Sequence, residues 1–182
     1  MDEVSGKLAT EFTPPEMVQE KVLTQIHSIL YWLDKNNPSG SKPTSPENDS
    51  QFRMWEIPVR RWAENANIKD QTENDIPKEK DDVHKPEYAP KLKIESPEEN
   101  KIYNISDNIT IKFSAKASNF PFGQTDLFFN NNYLGSLNQE PYVFIFKPSD
   151  FGPAPNNSDI KIIAYDKVRN KSETITPIKI NY

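Results

Sequence analysis

From Ile109 to Lys116 apolar and polar side chains alternate without a break. Ile109, Ile111, Phe113 and Ala115 fall on one side, and Thr110, Lys112, Ser114 and Lys116 on the other. A period of two predicts a strand with one buried face. Similar short runs surround it: "LKIE" before, then "TDLFF", "YLGSL", "PYVFIF", "DIKIIAYD" and "SETITPIKI". Between them stand turn formers such as "SPEEN", "NNN" and "DKVRN", whose asparagines tolerate a left-handed backbone. In the last run Ile175 and Ile178 fall on opposite faces, with Pro177 between them, so a bulge or an edge position is expected there. About seven short strands in some 90 residues, with no helical period between them, predict a mainly β domain over residues 92–182, a seven-stranded immunoglobulin-like β-sandwich. Its expected core is Ile94, Ile109, Ile111, Phe113, Leu127, Phe129, Tyr142, Phe144, Ile160, Ile162 and Ile180.

The pattern changes upstream. Residues 1–66 read as a small strand/helix segment. Val18, Val22, Ile26, Ile29 and Leu33 keep a helical spacing, but "HSILYWLDK" also alternates and lies between the breakers "FTPP" and "NNPSG". An extended segment is the expectation there. Phe52, Trp55, Val59 and Trp62 then recur three and four apart, with Asp49 as a candidate N-cap, which predicts a helix. Pro58 lies inside it and predicts a bend or a split into two short helices. Phe52, Trp55 and Trp62 form a candidate docking face toward another domain; the plainer reading is ordinary packing. Residues 67–91 are charged, punctuated by proline and poor in large aliphatics, and predict a flexible linker.

Composition narrows the function classes. The chain has 182 residues, 35% hydrophobic, with 16 prolines and 5 glycines, which favours extended linkers and strands over a helical bundle. Zero cysteines exclude disulfides, thiolate metal sites and thiol catalysis within the chain, a usage that suits the cytosol and bacterial envelope proteins alike. A net charge of −5 offers no basic footprint, so no nucleic-acid partner is expected. No run reaches the roughly 20 apolar residues of a membrane helix, so direct membrane insertion is not expected. The acidic, polar "MDEVSGKLAT" is unlike a signal peptide.

Candidate chemistry is sparse. Ser39-Gly40-Ser41-Lys42 matches S-x-x-K and Ser106-Asp107-Asn108 matches S-D-N, two motifs of penicillin-recognising acyl-enzymes. That chemistry needs a helix opening at the serine, with the lysine one turn on. Pro38, Pro43 and Pro46 forbid it here, and no K-T-G follows. Both matches read as loops, and no catalytic residue is assigned. Phe120, Phe122 and Phe151 are candidate binding-loop aromatics, able to stack on glycan rings or a partner; the plainer reading is that they plug an open end of the sandwich. Asp166 and Asn170, with Asp107 or Asp159, are read as turn caps rather than a calcium site, which needs about six gathered oxygens. His84 has no second imidazole or thiol near it in sequence, so a solvated side chain is expected and no metal or cofactor site is assigned.

The segments "SGKLATEFTPPEMVQEK", "HSILYWLDKNNPSG" and "WEIPVRRWAE" resemble the region just after the transpeptidase domain of bifunctional class A penicillin-binding proteins, particularly those of small uncultured bacteria. In such proteins an immunoglobulin-like module similar to "ISPEENKIYN…IKIIAYDKVRNKS" often follows, so the resemblance extends from Ser5 through the last strand. It implies a non-catalytic C-terminal accessory region of a peptidoglycan synthase, held outside the cytoplasmic membrane by upstream parts, since the family's nucleophile, K-T-G strand, glycosyltransferase domain and anchor all lie upstream. The implied partners are the transpeptidase domain of the same protein and possible cell-wall ligands, peptidoglycan or a cell-wall protein. The alternative is a free-standing bacterial surface adhesion module with the same fold, using its loop aromatics.

Overall fold

The computed structural model describes residues 1–182, and in it the alternating runs become eight strands. These are β1 (Lys91–Ser96), β2 (Ile102–Asn104), β3 (Ile109–Lys116), β4 (Phe122–Phe129), β5 (Asn132–Leu137), β6 (Val143–Phe146), β7 (Asn157–Asp166) and β8 (Lys171–Asn181). They form two sheets, a three-stranded one in the order β1-β3-β6 and a five-stranded one in the order β2-β8-β7-β4-β5. Neighbours run antiparallel except the short β2, which lies parallel to the end of β8. Ile109, Ile111 and Phe113 from one sheet meet Leu127, Phe129, Ile160, Ile162, Ile178 and Ile180 from the other, and all are buried. The molecule is mainly β, and this half is a β-sandwich.

Local chemistry explains the connections. Asn130 and Asn131 both take positive φ, 45° and 67°, which is the two-residue turn that a right-twisted β4–β5 hairpin requires. Arg169 at φ 70° turns β7 into β8. Pro177 needs no bulge. The β7–β8 register runs unbroken from Asn157/Lys179 to Tyr165/Lys171, while β2 reaches only residues 179–181 on the other side. Pro177 therefore stands where β8 is an edge, and Ile175 faces out while Ile178 faces in.

Several expectations are corrected. Eight strands replace seven, because "IYN" adds β2 alongside β8. Ile94 and Phe144 are only half-buried: β1 is irregular between Ile94 and Ser96, and β6 places Phe146 rather than Phe144 in the buried position.

The chain divides into two compact units, Met1–Val18 with Glu79–Tyr182, and Gln19–Lys78. The expected linker 67–91 therefore belongs partly to each. Composition suggested a chain too polar to order, but Asp81 and His84 are buried by specific hydrogen bonds rather than by apolar area. Residues 1–18 join the sandwich unit through a Leu8/Lys80 bridge, in which Leu8 N–H donates to Glu79 and Asp81 N–H to Leu8.

In Gln19–Lys78, α1 is a single turn (Ile29–Trp32) after an extended approach, and α2 (Phe52–Asn65) is one continuous helix of 14 residues despite Pro58. Asp49 accepts the N–H of Gln51, the residue capping α2, so it supports the start without being the cap itself.

Candidate functional site

The N-terminal "DEVSGK" folds into a tight turn. Asp2 Oδ2 accepts the N–H of Ser5, and Gly6, at φ +68°, returns its N–H to the Asp2 carbonyl. A second such turn forms at "DDVH", where Asp81 Oδ1 accepts the N–H of Val83 at 2.8 Å. Pro86 then opens a short 3-10 helix. The two turns bring Asp2, Asp81 and His84 together, with 1%, 6% and 1% of their surfaces exposed. His84 Nδ1 lies 2.6 Å from Asp81 Oδ2 and 3.4 Å from Asp2 Oδ1. On the far side of the ring, Nε2 donates to the Val168 carbonyl at 2.8 Å, in the β7–β8 turn.

Electrostatics follow from the partners. Burial pushes the His84 pKa down, but the Val168 carbonyl and the carboxylates of Asp81 and Asp2 outweigh it and raise it above the usual value. With an oxygen acceptor at each nitrogen, this geometry favours the doubly protonated ring over the neutral one. Burial would raise Asp81, yet hydrogen bonds from Thr13 Oγ1 (2.7 Å), the Val83 N–H and His84 hold its pKa at about 2. Asp2 Oδ1 has no hydrogen-bond donor. The cluster thus pins residues 1–18 and 79–84 onto the β7–β8 turn.

The expectation of a solvated His84 is overturned, and the reason is distance along the chain. Val168 is 84 residues away and Asp2 lies at the opposite end of the segment, so only the Asp81/His84 pairing at i, i+3 was visible in sequence.

The other candidates separate. No helix opens at Ser39, which is exposed in a turn. The Lys42 ammonium lies over the rings of Tyr31 and Trp32, at 3.8 and 4.3 Å from their centroids. Asn104–Asp107 is a turn in which Asp107 accepts the Asn104 N–H. Asp166 caps the N–H groups of Val168 and Asn170, and Asp159 donates its N–H to the Asn130 side chain, so these carboxylates do not converge.

Phe151 packs edge-on against Phe129 and Phe146, Phe122 against Tyr142, and Phe120 against Tyr88. The three are scattered contacts, not one platform. On α2 the expected stripe is split: Phe52 and Val59 are half-buried beside Glu56 and Ala63, while Trp55 and Trp62, on the flank of the same arc, are exposed, 55% and 57%. Of the three residues of the expected docking face, Trp55 and Trp62 are exposed and Phe52 is half-buried.

No family profile matches the chain, and no curated relative does. Among solved structures, it is similar to fibronectin(III)-like modules of Clostridium thermocellum CbhA, at 25% identity over 51% of this chain and 46% of that one, with a TM-score of 0.42. An endo-beta-1,4-mannanase from Thermotoga petrophila gives 10% identity over 82% and 28% of the two chains, with a TM-score of 0.39. The chain thus spans less than half the length of each of these relatives, and both likenesses are distant.

Proposed function

We propose that this chain is a non-catalytic accessory region of a peptidoglycan synthase of the class A penicillin-binding type, working outside the cytoplasmic membrane as an immunoglobulin-like positioning module. One observation carries the reading. The segment "SGKLATEFTPPE", which resembles part of the region just after a transpeptidase domain, is hydrogen-bonded into the sandwich unit rather than joined to it by a loose tether. The strand orders β1-β3-β6 and β2-β8-β7-β4-β5 agree with an immunoglobulin-like arrangement. Such a module acts by placement: a rigid body fixed beside a synthase raises the local concentration of its binding face near the cell wall, and no bond is broken.

Two measurements test this. The nucleotide sequence 5′ of the Met1 codon is expected to continue in frame into S-x-x-K and K-T-G motifs; an in-frame stop followed by a ribosome-binding site removes the synthase reading and favours the free-standing adhesion module. Incubation of the isolated chain with a fluorescent penicillin is expected to leave it unlabelled. Covalent labelling at Ser39 overturns the non-catalytic assignment.

A further inference from the structure

We infer that Asp2, Asp81 and His84 form a binding site for a divalent transition-metal ion, with His84 Nδ1 and one oxygen from each carboxylate as ligands. This goes beyond the positioning role and does not depend on it.

The three donor atoms lie within 4.8 Å of one another and all three residues are buried. The decisive atom is Asp2 Oδ1. It is buried, has no hydrogen-bond donor, and stands 3.4 Å from His84 Nδ1, whose shorter contact is with Asp81. A carboxylate oxygen withdrawn from water without a donor is unfavourable, and native interiors rarely leave one so. An ion at the centre of the cluster satisfies it.

The surroundings match what a ligating set needs. Metal-bound histidines usually give their other N–H to a carbonyl or carboxylate, which fixes the ring. Here His84 Nε2 donates to Val168. The carboxylates are oriented in the same way, Asp81 by Thr13 and Val83, and Asp2 by Ser5.

Two ligands of a tetrahedral zinc, bonded at about 2.0–2.2 Å, stand roughly 3.3–3.5 Å apart. The 3.4 Å between Asp2 Oδ1 and His84 Nδ1 already has that spacing. The 2.6 Å between Asp81 Oδ2 and Nδ1 is a hydrogen-bond length, and it must open by a little under about 1 Å as the ion takes the place of the shared proton.

One imidazole and two carboxylates suit zinc or a neighbouring transition ion; calcium would want six or more oxygens. A fourth position would go to water. His84 borders two surface clefts, one shared with Thr13 and Asn170 and the other with Lys80 and Asp81. The ion would tie Asp2 to the 81–84 turn, and so hold the N-terminal segment on the sandwich.

The test uses the whole chain, freed of metal by a chelator and titrated with zinc chloride in a calorimeter, with thermal unfolding followed in parallel. One ion per chain is expected, with a rise in Tm that magnesium does not reproduce. Asp2→Asn, checked for an unchanged circular dichroism spectrum, is expected to weaken binding at least tenfold, by about 1.4 kcal/mol or more. His27→Gln, at the chain's other histidine, is expected to leave the titration unchanged. Absence of saturable binding by the wild-type chain up to about a hundred micromolar zinc, near −5.5 kcal/mol, overturns the proposal. So does binding that Asp2→Asn leaves intact or His27→Gln abolishes. If Asp2→Asn does not fold, Asp81→Asn is read against the same tenfold criterion, and the wild-type titration decides by itself.

Discussion

The two units of this chain are held by different forces. The sandwich encloses a continuous apolar core in which Ile109, Ile111, Leu127, Ile160, Ile162 and Ile180 show no exposed surface at all. Gln19–Lys78 buries only Leu30 and Ala63 among its hydrophobic residues. Its centre is polar instead. Glu56, on the inward face of α2, accepts the Ser28 N–H at 2.8 Å and faces His27 Nδ1 and Arg60 Nε at the same distance. Arg60 continues to Asp70, which accepts the Ile26 N–H at 2.7 Å. A periodic apolar sequence makes one kind of domain. A polar sequence can order itself too, provided a few charges each hold several partners.

The contrast breaks most visibly in the core. Leu127→Ala removes a fully buried side chain between the sheets and is expected to cost about 2–5 kcal/mol, read as a shift of the denaturation midpoint. Hydrogen exchange in Gln19–Lys78 should not change with it. A loss below about 1 kcal/mol would mean that the sandwich is not packed as described.

Glu56→Gln tests the polar unit and is expected to cost about 1–3 kcal/mol, because one of the inward donors loses its acceptor. Faster exchange should be confined to Gln19–Lys78, and an effect spread evenly over both units would defeat the distinction. Acid sharpens it. Burial raises the Glu56 pKa, but the Ser28, His27 and Arg60 hydrogen bonds outweigh it and leave it lowered. The Arg60 hydrogen bond and the Ile26 N–H lower that of Asp70. Carboxyls with lowered folded pKa values contribute stability that is present in full above their unfolded values and is lost as pH falls through the folded ones. Gln19–Lys78 should therefore open on acidification below the ordinary carboxylate range, while the apolar sandwich core should keep its exchange protection longer. Within the sandwich unit it is the Asp81–His84 contacts holding residues 79–84, with the Asp81 pKa at about 2, that weaken as the pH falls.

The same difference explains what could be read in advance. Strands β3, β4 and β7 were legible because their period of two is written in neighbouring residues, and the Asn130–Asn131 turn because asparagine tolerates positive φ. Ile178 was left out of the expected core although alternation from Ile180 places it on the same face, because Pro177 beside it left a bulge and an edge position both open. The polar networks were hidden for another reason. Glu56 meets Ser28 across 28 positions, Asp70 meets Ile26 across 44, and His84 meets Val168 across 84. No periodicity relates such residues, so the segment holding Asp81 and His84 looked like a tether. The helix stripe misled in a subtler way: Phe52, Trp55, Val59 and Trp62 share a broad arc, but the polar centre takes its Glu56 side and leaves both tryptophans outside.

The smallest effect tests how far the polar unit depends on single contacts. Lys42 places its ammonium over Tyr31 and Trp32, and Tyr31 stacks on His27, with ring centroids 3.4 Å apart, beside Glu56. The S-x-x-K lysine thus serves as a lid on the aromatic end of the network. An exposed cation–π contact contributes about 0.5–1 kcal/mol, so Lys42→Ala should destabilise Gln19–Lys78 by that amount and Lys42→Arg by little or nothing. Exchange of the Tyr31 and Leu33 amides, which donate to Ser28 and Ile29, gives the local readout. If both variants leave those amides as protected as in the parent chain, the lysine lies on the rings without holding them, and the order of this unit comes from Glu56, Arg60 and Asp70 alone.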